Sequence, residues 1–154
     1  MQRRTFLKGT LAGSATAVAV SAGLLAPSQV LAAWPKQAFE AKTVQDAISG
    51  VMGGASTDPC DKISIKAPDI AENGAVVPIT VETGLAQISA ISIIAENNPT
   101  PLAASFDLSD KSKGFVSTRI KMGKTSNVIA VVKSNGQAFS ARKEVKVTIG
   151  GCGG

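Results

Sequence analysis

From Ile63 onward the chain is written in period two. Ile63-Ser64-Ile65-Lys66 alternates apolar and polar residues, and short apolar runs separated by turn residues continue to Ile149. A repeat of two places successive side chains on opposite faces of an extended strand, which excludes a helical body for this stretch. Glu72-Asn73-Gly74 is a turn leading into a strand from Val76 to Val81. Ile88 to Ala95 is the most apolar run, and Asn97-Asn98-Pro99-Thr100-Pro101 ends it. Leu102 to Leu108 and Phe115 to Met122 read as further strands. Val128 to Lys133 leads through Asn135-Gly136, a strong hairpin signal, to Ala138 and then to Val145-Lys146-Val147-Thr148-Ile149. About seven strands with no helix between them predict an all-β, antiparallel sandwich. Pro78 cannot donate to a ladder, so its strand is expected at an edge or with a bulge. Ile88, Ile91, Ile93 and Ile94 lie too close together to share one face. Either that strand is buried on both faces, or some of these isoleucines form a contact with another chain.

One helix is expected ahead of the strands. Phe39, Val44, Ala47, Ile48 and Val51 recur at helical spacing between Pro35 and Gly53, and Gly53-Gly54 stops the pattern. Packing against the sheet is its expected use. Ala55 to Lys62 follows as a polar loop carrying Asp58-Pro59-Cys60-Asp61.

The N-terminus reads as an address. Arg3-Arg4 precede Phe6-Leu7-Lys8, a Gly- and Ala-rich apolar stretch runs to about Leu25, Pro27 breaks it, and Val30-Leu31-Ala32 offers a small-residue cleavage site. That order is a twin-arginine export signal rather than a membrane anchor, since the apolar stretch is short of the ~20 residues a span needs. The expected division is a cleaved signal over 1–32, one domain over 33–149, and a short arm over 150–154, with the periplasm as destination. Loss of Arg3, Arg4 and Lys8 leaves 13 of the 16 basic residues against 11 acidic ones, so the net charge falls from +5 to +2. That is too slight and too scattered for a nucleic-acid footprint.

The chain contains no histidine and no tyrosine. Ser-His and Cys-His nucleophile pairs, histidine metal ligands and the usual general base are all ruled out. Two cysteines alone do not make a zinc or haem-attachment site. No catalytic residue, metal site or cofactor is therefore assigned, and an independent enzyme is not expected.

Gly150-Gly151-Cys152-Gly153-Gly154 carries the chemistry instead. Glycine on both sides of Cys152 leaves no Cβ to fix or widen the backbone, so the thiol is expected on a thin, mobile arm. From Ile149 to Cys152 is three residues, or about 10 Å when extended. The carboxylate at Gly154 disfavours the thiolate of the free arm, which places activation with whatever protein receives it.

At these residues the chain resembles the SoxY family, sulfur-carrier subunits of the periplasmic thiosulfate-oxidising system. The resemblance rests on Gly150 to Gly154, on the strand Val145 to Ile149, on Ala67-Pro68-Asp69-Ile70-Ala71-Glu72-Asn73-Gly74-Ala75-Val76-Val77-Pro78, on Asn98-Pro99 with Pro101-Leu102, and on the twin-arginine signal. It implies an immunoglobulin-like sandwich and a carrier rather than a catalyst. It also implies that Cys152 is joined to thiosulfate as an S-thiosulfonate by a c-type cytochrome pair. A manganese-dependent hydrolase then releases sulfate, and a sulfane dehydrogenase can oxidise the sulfur left behind. The implied subunit partner is SoxZ, with self-association in its absence and a contact through the isoleucines of Ile88 to Ala95.

Two other readings compete. A C-terminal Gly-Gly can act through its own carboxylate, as in ubiquitin-like sulfur carriers, but those interleave strands with a helix. A plain periplasmic binding or structural sandwich is the second, with Cys60 and Cys152 bridged. Cys60 departs from the family pattern. Asp58 and Asp61 beside it disfavour its thiolate, so it is expected to be an exposed, dispensable loop residue, with any bridge running between chains.

Overall fold

The computed structural model describes residues 35–54, 56–109 and 111–148. The signal over 1–32, Ile149 and the arm over 150–154 lie outside the described residues. Two helices, not one, precede the strands: α1 (Lys36–Glu40) and α2 (Val44–Met52). The break falls where Thr43, extended at φ −119°, accepts the Asp46 N–H on its side-chain oxygen at 3.1 Å and donates its hydroxyl to Asp46 Oδ2 at 2.7 Å. A threonine that satisfies the first turn from outside starts a new helix instead of continuing the old one. Gly53, left-handed at φ 77°, closes α2 with its N–H on Ser49 O. The two helices fold tightly together, since a Cβ on Gly50 would lie 2.6 Å from the Ala38 Cβ.

The strands are β1 (Asp58–Pro59), β2 (Ile63–Lys66), β3 (Ile70–Ala71), β4 (Val77–Thr83), β5 (Ile88–Ala95), β6 (Leu102–Asp107), β7 (Phe115–Ile120), β8 (Ser126–Ser134) and β9 (Gln137–Val147). They make a large sheet in the order β1-β9-β8-β5-β6, with β3 also on β9, and a small sheet in the order β2-β4-β7. Seven of the nine are the strands of an immunoglobulin-like sandwich. The other two are two-residue parallel rungs on the free edge of β9.

Between the sheets lie Val77, Ile79 and Val81 of β4, Ile91 and Ile93 of β5, and Val128, Ala130 and Val132 of β8, all buried. On the outer face of the large sheet, Ile94, Leu102, Ile129 and Val131 meet Ala38, Ala47, Ile48 and Met52 of the helices. The helices thus pack against the sheet, and β5 and β8 are covered on both faces. This corrects the expected isoleucine contact: Ile91, Ile93 and Ile94 are fully buried and Ile88 is 8% exposed, which leaves nothing for another chain to touch. The alternation of the pleat places Ile91 and Ile93 in the core between the sheets and Ile94 under the helices.

Asn135 (φ 50°) and Gly136 (φ 78°) form the turn between β8 and β9 with both residues left-handed, as a type I′ turn requires. The sequence suggests a gap between Ala138 and Val145, yet β9 is continuous over eleven residues. Pro78 sits in the middle strand of the small sheet, opposite Arg119 of β7. The β2 ladder stops at Thr80, so on that side Pro78 faces no strand and no donor is missed. Among the described residues no helix is long and apolar enough to cross a membrane.

Candidate functional site at the end of strand β9

Cys152 and its flanking Gly150, Gly151, Gly153 and Gly154 lie outside the described residues, so the site is built here from the residues that lead to them. β9 pairs with β8 from Ser134↔Gln137 to Ser126↔Val145. Beyond Val145 that ladder is replaced. Val147 N–H donates to Thr125 Oγ1 at 2.9 Å on one side. On the other, Lys146 N–H donates to Asp69 O at 3.0 Å and Thr148 N–H to Ala71 O at 3.1 Å, through β3. The strand is therefore held on both edges up to the last described residue, four positions before Cys152.

The clamp is itself fixed from behind. Met122 N–H donates to Gly74 O at 2.7 Å, and Ala75 N–H is taken by the Asn73 side chain, which shapes the turn. A Cβ on Gly74 would collide with Met122 O and come within 2.8 Å of Val147 Cγ1, so only glycine fits between the loop and the strand. Asn97 Nδ2 donates to Thr125 O at 2.9 Å, while Asn98 donates to Lys121 O at 2.7 Å and accepts from Gly123 N–H at 3.0 Å. Two asparagine side chains thereby tie the β5–β6 loop to the β7–β8 loop at one end of the sandwich. A cleft of about 550 Å³ opens beside them, lined by Asn98, Pro99, Thr100, Leu102, Ala103, Lys121 and Gly123. Sequence reasoning marks Glu72-Asn73-Gly74 and Asn97-Asn98-Pro99-Thr100-Pro101 as turns but misses Thr125. A polar loop residue gives no local sign of which strand it will meet.

Cys60 differs from its expectation. The thiol is free, half-buried, and packs against the core between the sheets rather than standing in solvent. The β1 rung explains it: Pro59 pairs with Ser140, and Cys60 N–H donates to Ser140 O at 3.0 Å, which turns the side chain inward. Ser140 lies eight residues before Thr148, or about 26 Å along the strand, and Thr148 is held by its bond to Ala71 O. From Thr148 to Cys152 the chain spans at most about 14 Å. A bridge between Cys60 and Cys152 of one chain needs Cα atoms within about 7 Å, which leaves roughly 19 Å to cover and is out of reach.

A family model described as "Sulfur oxidation protein SoxY" matches residues 48–152, from within α2 through the sandwich to Cys152. The chain belongs to the SoxY family. The solved structure of the sulfur carrier protein SoxY from Chlorobium limicola f. thiosulfatophilum is 45% identical over 68% of this chain and 94% of that one, with a TM-score of 0.62. A superoxide reductase (neelaredoxin) from Ignicoccus hospitalis superposes at a TM-score of 0.50, covering 56% of this chain and 80% of that one. At 20% identity it shares the SoxY sandwich and nothing more. A comparison with curated proteins finds none that matches.

Proposed function

We propose that this chain is an exported covalent carrier of sulfur in thiosulfate oxidation, with Cys152 as the attachment site. Membership of the SoxY family supports a carrier role in sulfur oxidation. The observation that carries the finer reading is the placement of Gly150 to Gly154 directly after a strand clamped on both edges. A carrier needs a fixed body and a slim approach to its sulfur, and glycines on both sides of Cys152 keep side chains off that approach.

In the first step the Cys152 thiolate and thiosulfate form a sulfur–sulfur bond and lose two electrons, which a c-type cytochrome pair accepts. The product is the S-thiosulfonate, Cys–S–S–SO₃⁻. Water then attacks the terminal sulfur, the S–SO₃ bond breaks, and sulfate, two protons and Cys–S–S⁻ are formed. A manganese-dependent hydrolase is the expected catalyst of that step, and a sulfane dehydrogenase of the oxidation that can follow. This chain supplies the nucleophile and the presentation, in complex with a SoxZ-like subunit or with itself. The twin-arginine signal over 1–32 would deliver it to the periplasm already folded.

Intact-protein and peptide mass spectrometry tests the reading. After exposure to thiosulfate and the oxidising cytochrome, the C-terminal peptide should gain the mass of a thiosulfate group, removable by reductant. Uptake of the group by Cys152→Ser would refute it. A plain binding module would survive deletion of 150–154 with its function intact, whereas a carrier would lose all activity.

A further inference from the structure

Three large apolar side chains are exposed among the described residues: Ile70 at 58%, Phe115 at 52% and Val76 at 51%. Scattered singly, such residues are ordinary. Two of these three, however, lie on the one short segment that clamps the end of β9. Ile70 is paired with Lys146 in the last rung of the large sheet, and Val76 follows the Gly74 turn and exposed Ala75. Burial then alternates, Val77 in and Pro78 out, which puts Val76 on the outer face of the small sheet. Ile70 and Val76 therefore flank the end of β9 from the two sheets. On the adjoining loop, Lys121 and Lys124 are exposed and have no carboxylate within ion-pair distance among the described residues. Asp69, by contrast, is engaged by Lys143 at 3.1 Å.

Chain length says what comes to this surface. Cys152 is four residues beyond Thr148, a reach of about 14 Å when fully extended. An enzyme whose reacting centre lies ten or so ångströms below its surface takes up that sulfur only by seating its rim on the end of the sandwich. We propose that Ile70, Ala75 and Val76, with Lys121 and Lys124 beside them, are the docking face for that rim. The partner it fits is an enzyme with a narrow cleft, whose mouth is apolar opposite Ile70 and Val76 and carries carboxylates opposite the two lysines. This rests on the reading of Cys152 as the attachment site.

The test uses the full mature chain with its companion subunit. Sulfate release from thiosulfate is measured in a periplasmic extract of the source cells stripped of its own carrier, with the carrier as the varied component. Ile70→Ser/Val76→Ser and Lys121→Glu/Lys124→Glu should each raise KM for the carrier about tenfold and leave kcat within about twofold. Alkylation of Cys152 by iodoacetamide should be unchanged, because a small reagent needs no rim. KM equal to wild type in both double variants overturns the proposal. So does loss of the companion subunit on gel filtration, which would make the surface a subunit interface. Cys152→Ser separates the two levels: turnover by that variant refutes the carrier reading itself, whereas its inactivity beside unchanged KM in the surface variants refutes the docking face alone.

Discussion

Gly74→Ala isolates the contact on which the clamp at the end of β9 depends. The added Cβ would collide with Met122 O, a backbone atom that cannot swing away, and would sit 2.8 Å from Val147 Cγ1. Forcing a methyl into packed surroundings costs about 1–3 kcal/mol. Moving the two segments apart also lengthens the 2.7 Å bond from Met122 N–H to Gly74 O, worth about 1 kcal/mol. The sum is roughly 2–4 kcal/mol, against a total stability of about 5–15 kcal/mol. At about 3–5 °C per kcal/mol for a domain this size, the Tm should fall by roughly 10 °C. Gly84→Ala is the matched control, since nothing lies within 4 Å of its added Cβ. Both substitutions stiffen the unfolded chain alike, so their difference reports the contact. Thermal unfolding followed by circular dichroism, repeated in urea, measures it. A Tm for Gly74→Ala within about 2 °C of that for Gly84→Ala would refute the argument.

Three further outcomes follow from the same structure. Ile91→Lys and Ile94→Lys each bury an unpaired charge at a fully buried site, costing about 3–5 kcal/mol, and should appear as loss of the unfolding transition or as aggregation; a folded variant altered only in assembly state would contradict the packing. Cys60→Ser should keep carrier activity and lose about 1 kcal/mol or less, and mass-resolved alkylation should find Cys60 slower to react than Cys152. Gly151→Val and Gly153→Val should lower partner turnover while the Tm stays within about 2 °C, because stiffening beyond Thr148 leaves the sandwich contacts untouched; unchanged turnover in both would show that the glycines are incidental.

The strands were legible because each carries its own signal. Period two at Ile63 to Lys66, the Asn135-Gly136 turn and the glycine stop at Gly53 are local, and local rules fix them. The split of the helix was also locally written, as Thr43 three residues before Asp46, but the apolar spacing running through both pieces masked it. What the sequence withholds is pairing at a distance. The rungs of β1 and β3 are two residues long, too short for any periodicity, and they decide where Cys60 points and how β9 ends. Cys60 shows the cost of reading neighbours alone: its flanks are polar, yet a contact eighty residues away turns it inward. Of the candidate site, the thiol and its glycines are plain in the sequence, whereas Thr125 and Gly74 gain their roles only from the fold.

β9 is bonded along both edges where it matters most, antiparallel to β8 and parallel to β3 at its final rung. On the proposed reading, a partner that grips the sulfur and withdraws along the line of β9 loads this strand along its own axis. The load then falls in shear on the whole β8 ladder at once, instead of peeling one hydrogen bond after another from a frayed end. Tension reaching Thr148 along that axis is shared among the rungs of β8 and β3, so the end of β9 does not unravel.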